Sequence, residues 1–288
     1  MGIISSGVGI GIFVGVPSIQ HLINRAGWRM TYVVMALFIP LSIVFMAILF
    51  LKKRPGTISS NSLEEEIVPS VIGGSLAVDD QWASRSWTLR QAVFTKPFCA
   101  LSMCFFFSGS ITQSILAHHV AFFVDQGLEA LFASYIVGIT GIVSILGKIL
   151  WGTLSDRIGR EVTYTLVIFC STCGMIFLIA FTILSSPCLP FLYAVFFGMG
   201  YAGMASLPPL ITADFFGGRA YGRIFGTLFI LNGIGGAFGA WFAGFLYDQV
   251  RSYLPFFVIM IVCGLLACLV LWIAAPRKIR RVPGKDKT

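Results

Sequence analysis

A single lysine lies within an apolar run, where its positive charge could bind an anion. Lys148 falls in the segment of about residues 130 to 151, which contains no other charged residue. A cation inside an apolar membrane helix is costly and normally faces a cavity or a partner, so Lys148 could bind an anionic solute. Alternatively, because Lys148 is one turn before Gly152, its long side chain could extend to the lipid headgroups. The sequence leaves both interpretations open.

Four other polar side chains of the apolar segments could contact a solute. His118 and His119 close the segment of residues 96 to 117. Histidine changes charge near neutral pH, so either could pass a proton or bind an anion, or both could sit at the membrane boundary as amphipathic residues. The amides of Gln113 and Asn232 could contact the solute or form hydrogen bonds between helices.

The composition places these residues in a membrane. Of the 288 residues, 57% are hydrophobic and 11% are charged, and the mean hydropathy is +0.89, outside the range of soluble domains. Eight apolar segments approach the roughly 20 residues that cross a bilayer as a helix, and none alternates as a barrel strand does. We therefore predict an all-α, polytopic membrane protein with eight transmembrane helices. They lie at about residues 2–21, 30–51, 96–117, 130–151, 162–184, 189–211, 222–246 and 253–275.

A long polar interval divides two of these helices from the other six. Residues 52–95 include Glu64 to Glu66 and several serines and glycines, a composition typical of a linker without its own core. We predict a cytoplasmic central loop at 52–95 between the helices of residues 1–51 and those of residues 96–275. A basic cytoplasmic tail follows at residues 276–288.

Lysine and arginine predict the orientation of the chain. With the amino terminus inside, the external loops carry only Arg25, Arg29 and Arg251 of the 20 Lys and Arg residues. Because short cytoplasmic loops hold an excess of these residues, both termini of the chain are predicted to be cytoplasmic. The net charge of +8 then reflects topology, and no nucleic-acid partner is expected.

The nine residues from Gly152 to Arg160 follow the pattern Gly-x-x-x-Asp-Arg-x-Gly-Arg between two apolar segments. This pattern resembles the cytoplasmic loop signature of the major facilitator superfamily. Glycines allow a tight turn, and Asp156 could cap the next helix or pair with an arginine across the bundle. The resemblance implies a latch that holds the cytoplasmic side shut in one transport state. The predicted gating residues are Gly152, Asp156, Arg157, Gly159, Arg160, Asp214, Arg219 and Arg223.

The position of this signature implies which part of the family fold is present. In that family, twelve helices form two halves of six, and the signature follows the second helix of each half. Here it follows the second helix after the linker, so residues 96–275 resemble a complete C-terminal half. Residues 1–51 then resemble the last two helices of the N-terminal half. The chain is expected to correspond to helices 5 to 12, to be truncated at its N-terminus and to lack four partner helices.

A finer resemblance is to the monocarboxylate transporter-like and oxalate:formate antiporter-like branch. It rests on three stretches of the sequence. The first is Gly2–Pro17 followed by Gly27-Trp28-Arg29, and the second is Asp125-Gln126-Gly127. The third is Asp214-Phe215-Phe216-Gly217 with Gly222 and Gly226. The branch handles small carboxylates, and Lys148 stands at the position of its recognition arginine. Lysine offers a point charge in place of the planar, two-pronged guanidinium. Ser144 stands where some carriers of the branch have an acid, which argues against proton coupling at this position.

The resemblance implies a secondary active transporter in the cell membrane, which moves a small organic anion, a monocarboxylate or dicarboxylate, by alternating access. Symport and exchange remain open. The alternatives are a truncated or degenerate membrane protein that does not transport, and a facilitator for a non-anionic solute. No catalytic triad, HExxH or nucleotide loop is present, so we predict no enzyme and no cofactor. Cys170 and Cys173 lie within an apolar helix without a His or Asp partner, so packing is predicted in place of metal binding.

Overall fold

The computed structural model describes residues 2–50 and 87–274, with side chains from Gly7 onward, and every regular element in these ranges is an α-helix. The predicted all-α, polytopic membrane fold is confirmed. Most of the predicted central loop and the whole predicted basic tail lie outside the described residues. The helices are α1 (Gly2–Phe50), α2 (Leu89–Val93), α3 (Lys96–Asp125), α4 (Ala130–Ile158), α5 (Arg160–Leu184), α6 (Cys188–Phe216), α7 (Tyr221–Val250) and α8 (Leu254–Ala274).

Seven of the described helices are long and apolar enough to cross a membrane. They account for the eight predicted segments, because the first two segments both lie in α1. The helical φ and ψ angles of α1 are interrupted at Gly27, which has φ 76° and ψ 163°. Only glycine adopts this conformation without strain, so the residue separates the two predicted segments.

Several helices extend beyond the predicted segments. The structure continues α3 to Asp125, eight residues past the predicted end at 117, and continues α6 to Phe216. Charged and polar residues in the last turns favour a loop by composition, but a side chain near a helix end can reach water without ending the helix.

The α3–α7 pair forms a close crossing because both helices present glycines at the contact. A Cβ atom on Gly109 would collide with the carbonyl oxygen of Asn232, and one on Gly235 would collide with that of Phe106. A Cβ on Gly239 would lie 2.5 Å from the carbonyl oxygen of Ser110. Small residues therefore allow backbone to touch backbone here.

The first half of α1 packs on α4 in the same way. A Cβ on Gly9 would lie 2.6 Å from the carbonyl oxygen of Gly141, and Gly138 faces Phe13 and Pro17. Residue numbers rise along α1 as they fall along α4, so the two helices are antiparallel. The second half of α1, after Thr31, is largely exposed in the described structure.

The remaining helices enclose a core rich in aromatic side chains. The α6 helix packs between α4 and α5, while α8 packs on α3 and α5. Fully buried rings of α3 and α6 meet near the start of α6, where Tyr193 lies 5.6 Å from Phe123 and stacks on Phe197 at 5.4 Å.

The described end of the predicted central loop packs on the bundle. Thr88 and Gln91 form a capping box at the start of α2. The Trp87 ring is buried and meets the Phe216 ring edge to face at 5.5 Å. The final residues of the interval 52–95 are thus part of the helical core.

Candidate functional site

The predicted cytoplasmic loop signature is almost entirely helical. The α4 helix continues to Ile158 and α5 begins at Arg160, so the turn between them consists of Gly159 alone. Gly159 has φ 96° and ψ 160°, a conformation that an L side chain rarely adopts. The two helices thus extend through the predicted cytoplasmic loop, because one glycine reverses the chain without further loop residues.

Arg160 is the centre of a buried polar cluster at this turn. Its Nε donates to the Asp214 carboxylate at 2.8 Å, and its Nη1 donates to the Ser155 hydroxyl at 2.7 Å. Nη1 also pairs with Asp156 at 2.9 Å. Arg160 and Asp214 are each 7% exposed. The cluster ties the end of α4, the start of α5 and the last turn of α6 together.

Asp156 does not cap α5, and its arginine partner in the structure belongs to the same signature. The N-cap position of α5 is Gly159, without a side-chain cap hydrogen bond, and Asp156 pairs with Arg160 of the same signature. The Asp156 side chain is 58% exposed. Asp214, on α6, supplies the carboxylate that reaches Arg160 from outside the signature.

The other predicted gating residues are largely accessible. Arg157, Arg219 and Arg223 are exposed, and Gly152 is half-buried with open space around it. The structure thus brings Arg160 together with Asp156 and Asp214 and leaves the remaining arginines at the surface of the described bundle.

Lys148 is buried, with 2% of its surface exposed. Its ammonium lies over the Tyr201 ring of α6, 5.7 Å from the ring centroid, which is within cation–π range. Ten residues, or about 15 Å of helix rise, separate it from the end of α4. The ammonium therefore does not reach an exposed surface, in contrast to the headgroup interpretation.

Two helix contacts flank Lys148 on α4. Gly141 faces α1, whereas a Cβ on Gly147 would lie 2.6 Å from the Cβ of Ala202 on α6. Ser144, one turn before Lys148, is buried and donates to the Gly141 carbonyl at 2.7 Å. Its Oγ is 3.0 Å from the position of a Cβ on Gly9. Ser144 therefore faces α1, and Lys148, one turn later, faces α6.

The adjacent histidines point to different helices. His118 is half-buried and lies within 3.0 Å of the Ala240 carbonyl oxygen and 3.3 Å of the Tyr253 hydroxyl. His119 is buried, and its Nδ1 lies 2.9 Å from the Tyr193 hydroxyl on α6. Neither lies beside Lys148. Because α3 continues to Asp125, the two residues are within the helix and not at its end.

The two amides lie at the α3–α7 crossing. Asn232 donates from Nδ2 to the Phe105 carbonyl at 3.1 Å, which is a hydrogen bond between helices. Gln113 is exposed, and its Cγ lies 2.6 Å from the position of a Cβ on Gly236. Gln113 is thus exposed in the described structure, whereas Asn232 contacts its neighbouring helix.

The structure therefore separates the candidate residues. Lys148 and Ser144 lie on α4, the two histidines face different helices, the two amides lie at the α3–α7 crossing, and the gating candidates lie around the turn at Gly159. The sequence did not reveal Tyr201 or Tyr253, because an aromatic residue in or beside an apolar helix is usually part of the core. Within the described residues, no group of three His, Cys, Asp or Glu side chains could hold a metal ion.

Comparison with known proteins identifies the family. Residues 1–236 match the family model of the Major Facilitator Superfamily. The chain belongs to this superfamily. The predicted resemblance is confirmed, and the chain is a multi-span membrane protein of this type. The superfamily consists of transporters, in agreement with the prediction that the chain is not an enzyme.

Curated superfamily members extend the comparison. Monocarboxylate transporter 12 of Xenopus laevis is 25% identical over 282 residues, which cover 92% of this chain and 59% of that protein. Monocarboxylate transporter 13 of Rattus norvegicus is 24% identical over 260 residues, covering 90% and 55%. The sialic acid transporter NanX of Escherichia coli (strain K12) is 22% identical over 286 residues, covering 96% and 63%. The chain spans less than two thirds of the length of each of these relatives.

Proposed function

We propose that the full-length protein is a secondary active transporter that moves a small organic anion, a monocarboxylate or dicarboxylate, by alternating access. It resides in the cell membrane with both termini of this chain in the cytoplasm. The observation that carries the proposal is the burial of Lys148 inside α4. The relatives support it, since their names refer to transport of monocarboxylates and of sialic acid.

The position of Lys148 supports a role in anion binding. Ionisable residues within transmembrane segments mark substrate and ion pathways. A charge within the bilayer is costly in free energy, so such residues are rare outside functional sites. Lys148 faces α6, which resembles part of one half of the family fold, and Ser144, one turn earlier, faces α1, which resembles part of the other. A site between the two halves near the bilayer midplane is where a carrier can expose its substrate alternately to each side.

The chemistry of the position favours carboxylates bound through one charge. A lysine ammonium acts as a point charge with three donors and lacks the two-pronged geometry of arginine. The Tyr201 ring holds the ammonium on one side by cation–π attraction. A carboxylate approaching from another side would bring a full opposite charge to the ammonium.

Ser144 favours exchange, or symport with an ion bound elsewhere, over proton symport at this position. Its hydroxyl donates to the Gly141 carbonyl of its own helix and carries no group that titrates near neutral pH. The transported anion would therefore be balanced by a counter-anion or by an ion bound at another position.

The cluster around Arg160 supports a second element of the mechanism. Asp214 fixes Arg160 between α5 and α6, so these helix ends move as one body. We infer that these joined ends of α5 and α6 form part of the cytoplasmic latch. In this latch, Arg157, Arg219 and Arg223 contact the opposite half of the fold.

Uptake by the full-length protein in liposomes tests the proposal. Labelled lactate, oxalate and formate are supplied outside vesicles, with and without unlabelled anion inside. We expect uptake of at least one anion, near-complete loss in Lys148→Ala, and retention in Lys96→Ala, which changes a lysine at the start of α3. Absence of uptake of all three by the wild type would contradict transport of small carboxylates. Unchanged uptake in Lys148→Ala would remove Lys148 from the site.

A further inference from the structure

An exposed aromatic side chain lies at the corner between α2 and α3. Phe94 follows the last residue of α2, and the next residue, Thr95, is the N-cap of α3. Phe94 is 85% exposed, the highest value among the large hydrophobic residues that the structure describes, and the adjacent Val93 is also exposed. An aromatic ring favours an apolar environment over water, so the surroundings of this corner matter for its stability.

The opposite side of α2 holds the corner on the bundle. Ala92 is completely buried, and the buried Trp87 ring meets the ring of Phe216 on α6 at 5.5 Å. The α2 helix also packs on α3 and α7. These contacts fix the orientation of the short helix, so Phe94 points away from the described bundle.

The backbone at the corner finds its hydrogen-bond partners within the chain. Thr88 and Gln91 form the capping box of α2, and the Thr95 amide donates to the Ala92 carbonyl at 2.9 Å. The Thr95 hydroxyl accepts from the Phe98 amide at 3.3 Å and so caps α3. Lipid offers no hydrogen bonds to a break between helices, so these internal partners allow the corner to lie at the edge of the hydrocarbon region.

The length of α3 indicates what surrounds the corner. This helix is apolar enough to cross a membrane and has 30 residues, which correspond to a rise of about 45 Å. A bilayer with both headgroup regions is about 40 to 45 Å thick. The first turn of α3, and the corner directly before it, therefore lie at the level of the lipid headgroups.

A cation accompanies the exposed ring. Arg90 is exposed and precedes Phe94 by four residues, a spacing that brings two side chains to the same face of a helix. A guanidinium can donate two parallel hydrogen bonds to a phosphate. The outer face of the corner thus combines a cation for a headgroup with a ring for the acyl chains, an arrangement suited to a membrane surface.

We propose that the corner formed by residues 90–94 is a membrane-surface anchor that binds an anionic phospholipid. The Phe94 ring enters the upper part of the acyl chains, and Arg90 binds the headgroup phosphate. A free phosphate ion would offer the same partner to Arg90 but none to Phe94, so the pair favours a lipid. A headgroup with a net negative charge is attracted more strongly than a zwitterionic one.

Electron paramagnetic resonance in liposomes tests the position of the ring. The full-length protein carries Cys99→Ser and Cys188→Ser, which remove the cysteines exposed in the described structure, and a nitroxide is attached to Phe94→Cys. We expect frequent collisions with oxygen and few with a water-soluble nickel chelate. Phe169→Cys, on the exposed middle of α5, should give the same pattern, and Gln126→Cys, in the exposed turn after α3, the opposite one.

Two results of this measurement would overturn the anchor. A nitroxide at Phe94 that behaves like the one at Gln126 would place the corner in water. A nitroxide shielded from both reagents would show that protein covers the ring, in place of lipid.

Photo-crosslinking tests the headgroup. Phosphatidylglycerol with a photoreactive upper acyl chain is mixed into phosphatidylcholine liposomes that contain the full-length protein, and labelled peptides are quantified by mass spectrometry. Labelling of the peptide that contains residue 94 should fall by about fivefold in Arg90→Gln, the effect of one basic residue at an anionic surface. Arg251→Gln changes an exposed arginine at the opposite end of the bundle and should leave this labelling unchanged.

Two further arms separate the possible ligands. Photoreactive phosphatidylcholine should label the peptide less than phosphatidylglycerol, and Phe94→Ala should reduce the labelling by either lipid. Equal labelling by both lipids, or an unchanged signal in Arg90→Gln, would overturn the binding of an anionic headgroup. Competition by excess inorganic phosphate, without an effect of Phe94→Ala, would overturn the proposal in favour of a free-anion site.

The anchor goes beyond the proposed function and does not depend on it. Arg90 and Phe94 do not belong to the Lys148 site, and both measurements are made without a transported anion. Absence of uptake with a normal crosslinking pattern would contradict the proposed function alone.

Discussion

The guanidinium of Arg160 lies 2.8 Å from the carboxylate of Asp214, and each side chain is 7% exposed. The two residues are 54 positions apart in the sequence, and each comes from a separate stretch that resembles a family motif. Their pairing fixes the single-residue turn at Gly159 against the last turn of α6. The signature is therefore held in place by a buried ion pair.

Removing one partner of this pair should destabilise the protein strongly. Arg160→Ala leaves the Asp214 carboxylate buried without this cation, at a cost of about 3 to 5 kcal/mol. Asp214→Ala should cost less, because Asp156 and Ser155 still contact Arg160. Thermal unfolding in detergent should show a loss for both variants, with the larger loss in Arg160→Ala. The double variant should lose less than the two single losses combined, because neither charge remains. Arg157→Ala removes an exposed neighbouring arginine and should unfold like the wild type.

The turn at Gly159 should not tolerate a side chain. Gly159→Ala places a Cβ on a residue with φ 96° and ψ 160°, which costs about 1 to 3 kcal/mol. Gly152→Ala provides a control within the same signature, since a Cβ on Gly152 would have no neighbouring atom within 4 Å. Equal unfolding temperatures for the two variants would show that the turn is not constrained as described.

The α3–α7 crossing should be equally sensitive to added volume. A Cβ on Gly235 collides with the Phe106 carbonyl oxygen, whereas one on Gly233, in the same helix, meets open space. Gly235→Ala should therefore lower stability by about 1 to 3 kcal/mol, and Gly233→Ala should not. Melting curves of the two purified variants provide the comparison, and a similar loss in both would contradict the close crossing.

A buried hydroxyl pair connects α3 and α5. The Tyr164 and Ser108 oxygens lie 2.5 Å apart, and the Cys104 sulfur donates to the same phenol at 3.3 Å. Tyr164→Phe keeps the ring and should cost about 0.6 to 1.7 kcal/mol, the range for hydrogen bonds between membrane helices. Denaturation of the purified variant measures this loss. Tyr135→Phe, on the exposed face of α4, is the control. If Tyr135→Phe lost stability and Tyr164→Phe did not, the stabilising role of the Tyr164–Ser108 hydrogen bond would be contradicted.

Hydropathy was sufficient to predict the helices, because a bilayer admits few other ways to satisfy the backbone of an apolar segment. It did not predict where the helices end. Asp125 and Asp156 are charged, and charged residues are typical of loops. Both residues nevertheless lie in the last turns of the helices α3 and α4. The turn at Gly159 depends on one backbone conformation, which no average over neighbouring residues reveals.

The sequence was sufficient to select candidate site residues by their type. It did not predict which residues contact them. Lys148 stands out because it is the sole charge in its segment, whereas Tyr201 resembles any other aromatic residue of an apolar helix. His118 and His119 are neighbours in sequence, yet successive helical residues differ by about 100°, so they face different helices. Partners of this kind are set by tertiary packing.

Equilibrium binding of a labelled carboxylate to the purified full-length protein tests the role of Lys148 most directly. Wild type, Lys148→Arg and Lys148→Ala are compared with the transported anion identified by uptake, and Lys96→Ala serves as the control. We predict that Lys148→Ala weakens binding by about 30-fold or more, corresponding to roughly 2 kcal/mol for a lost buried charge contact, and that Lys148→Arg retains more affinity. Equal affinity in the wild type and Lys148→Ala would contradict the assignment of Lys148 as the anion-binding residue.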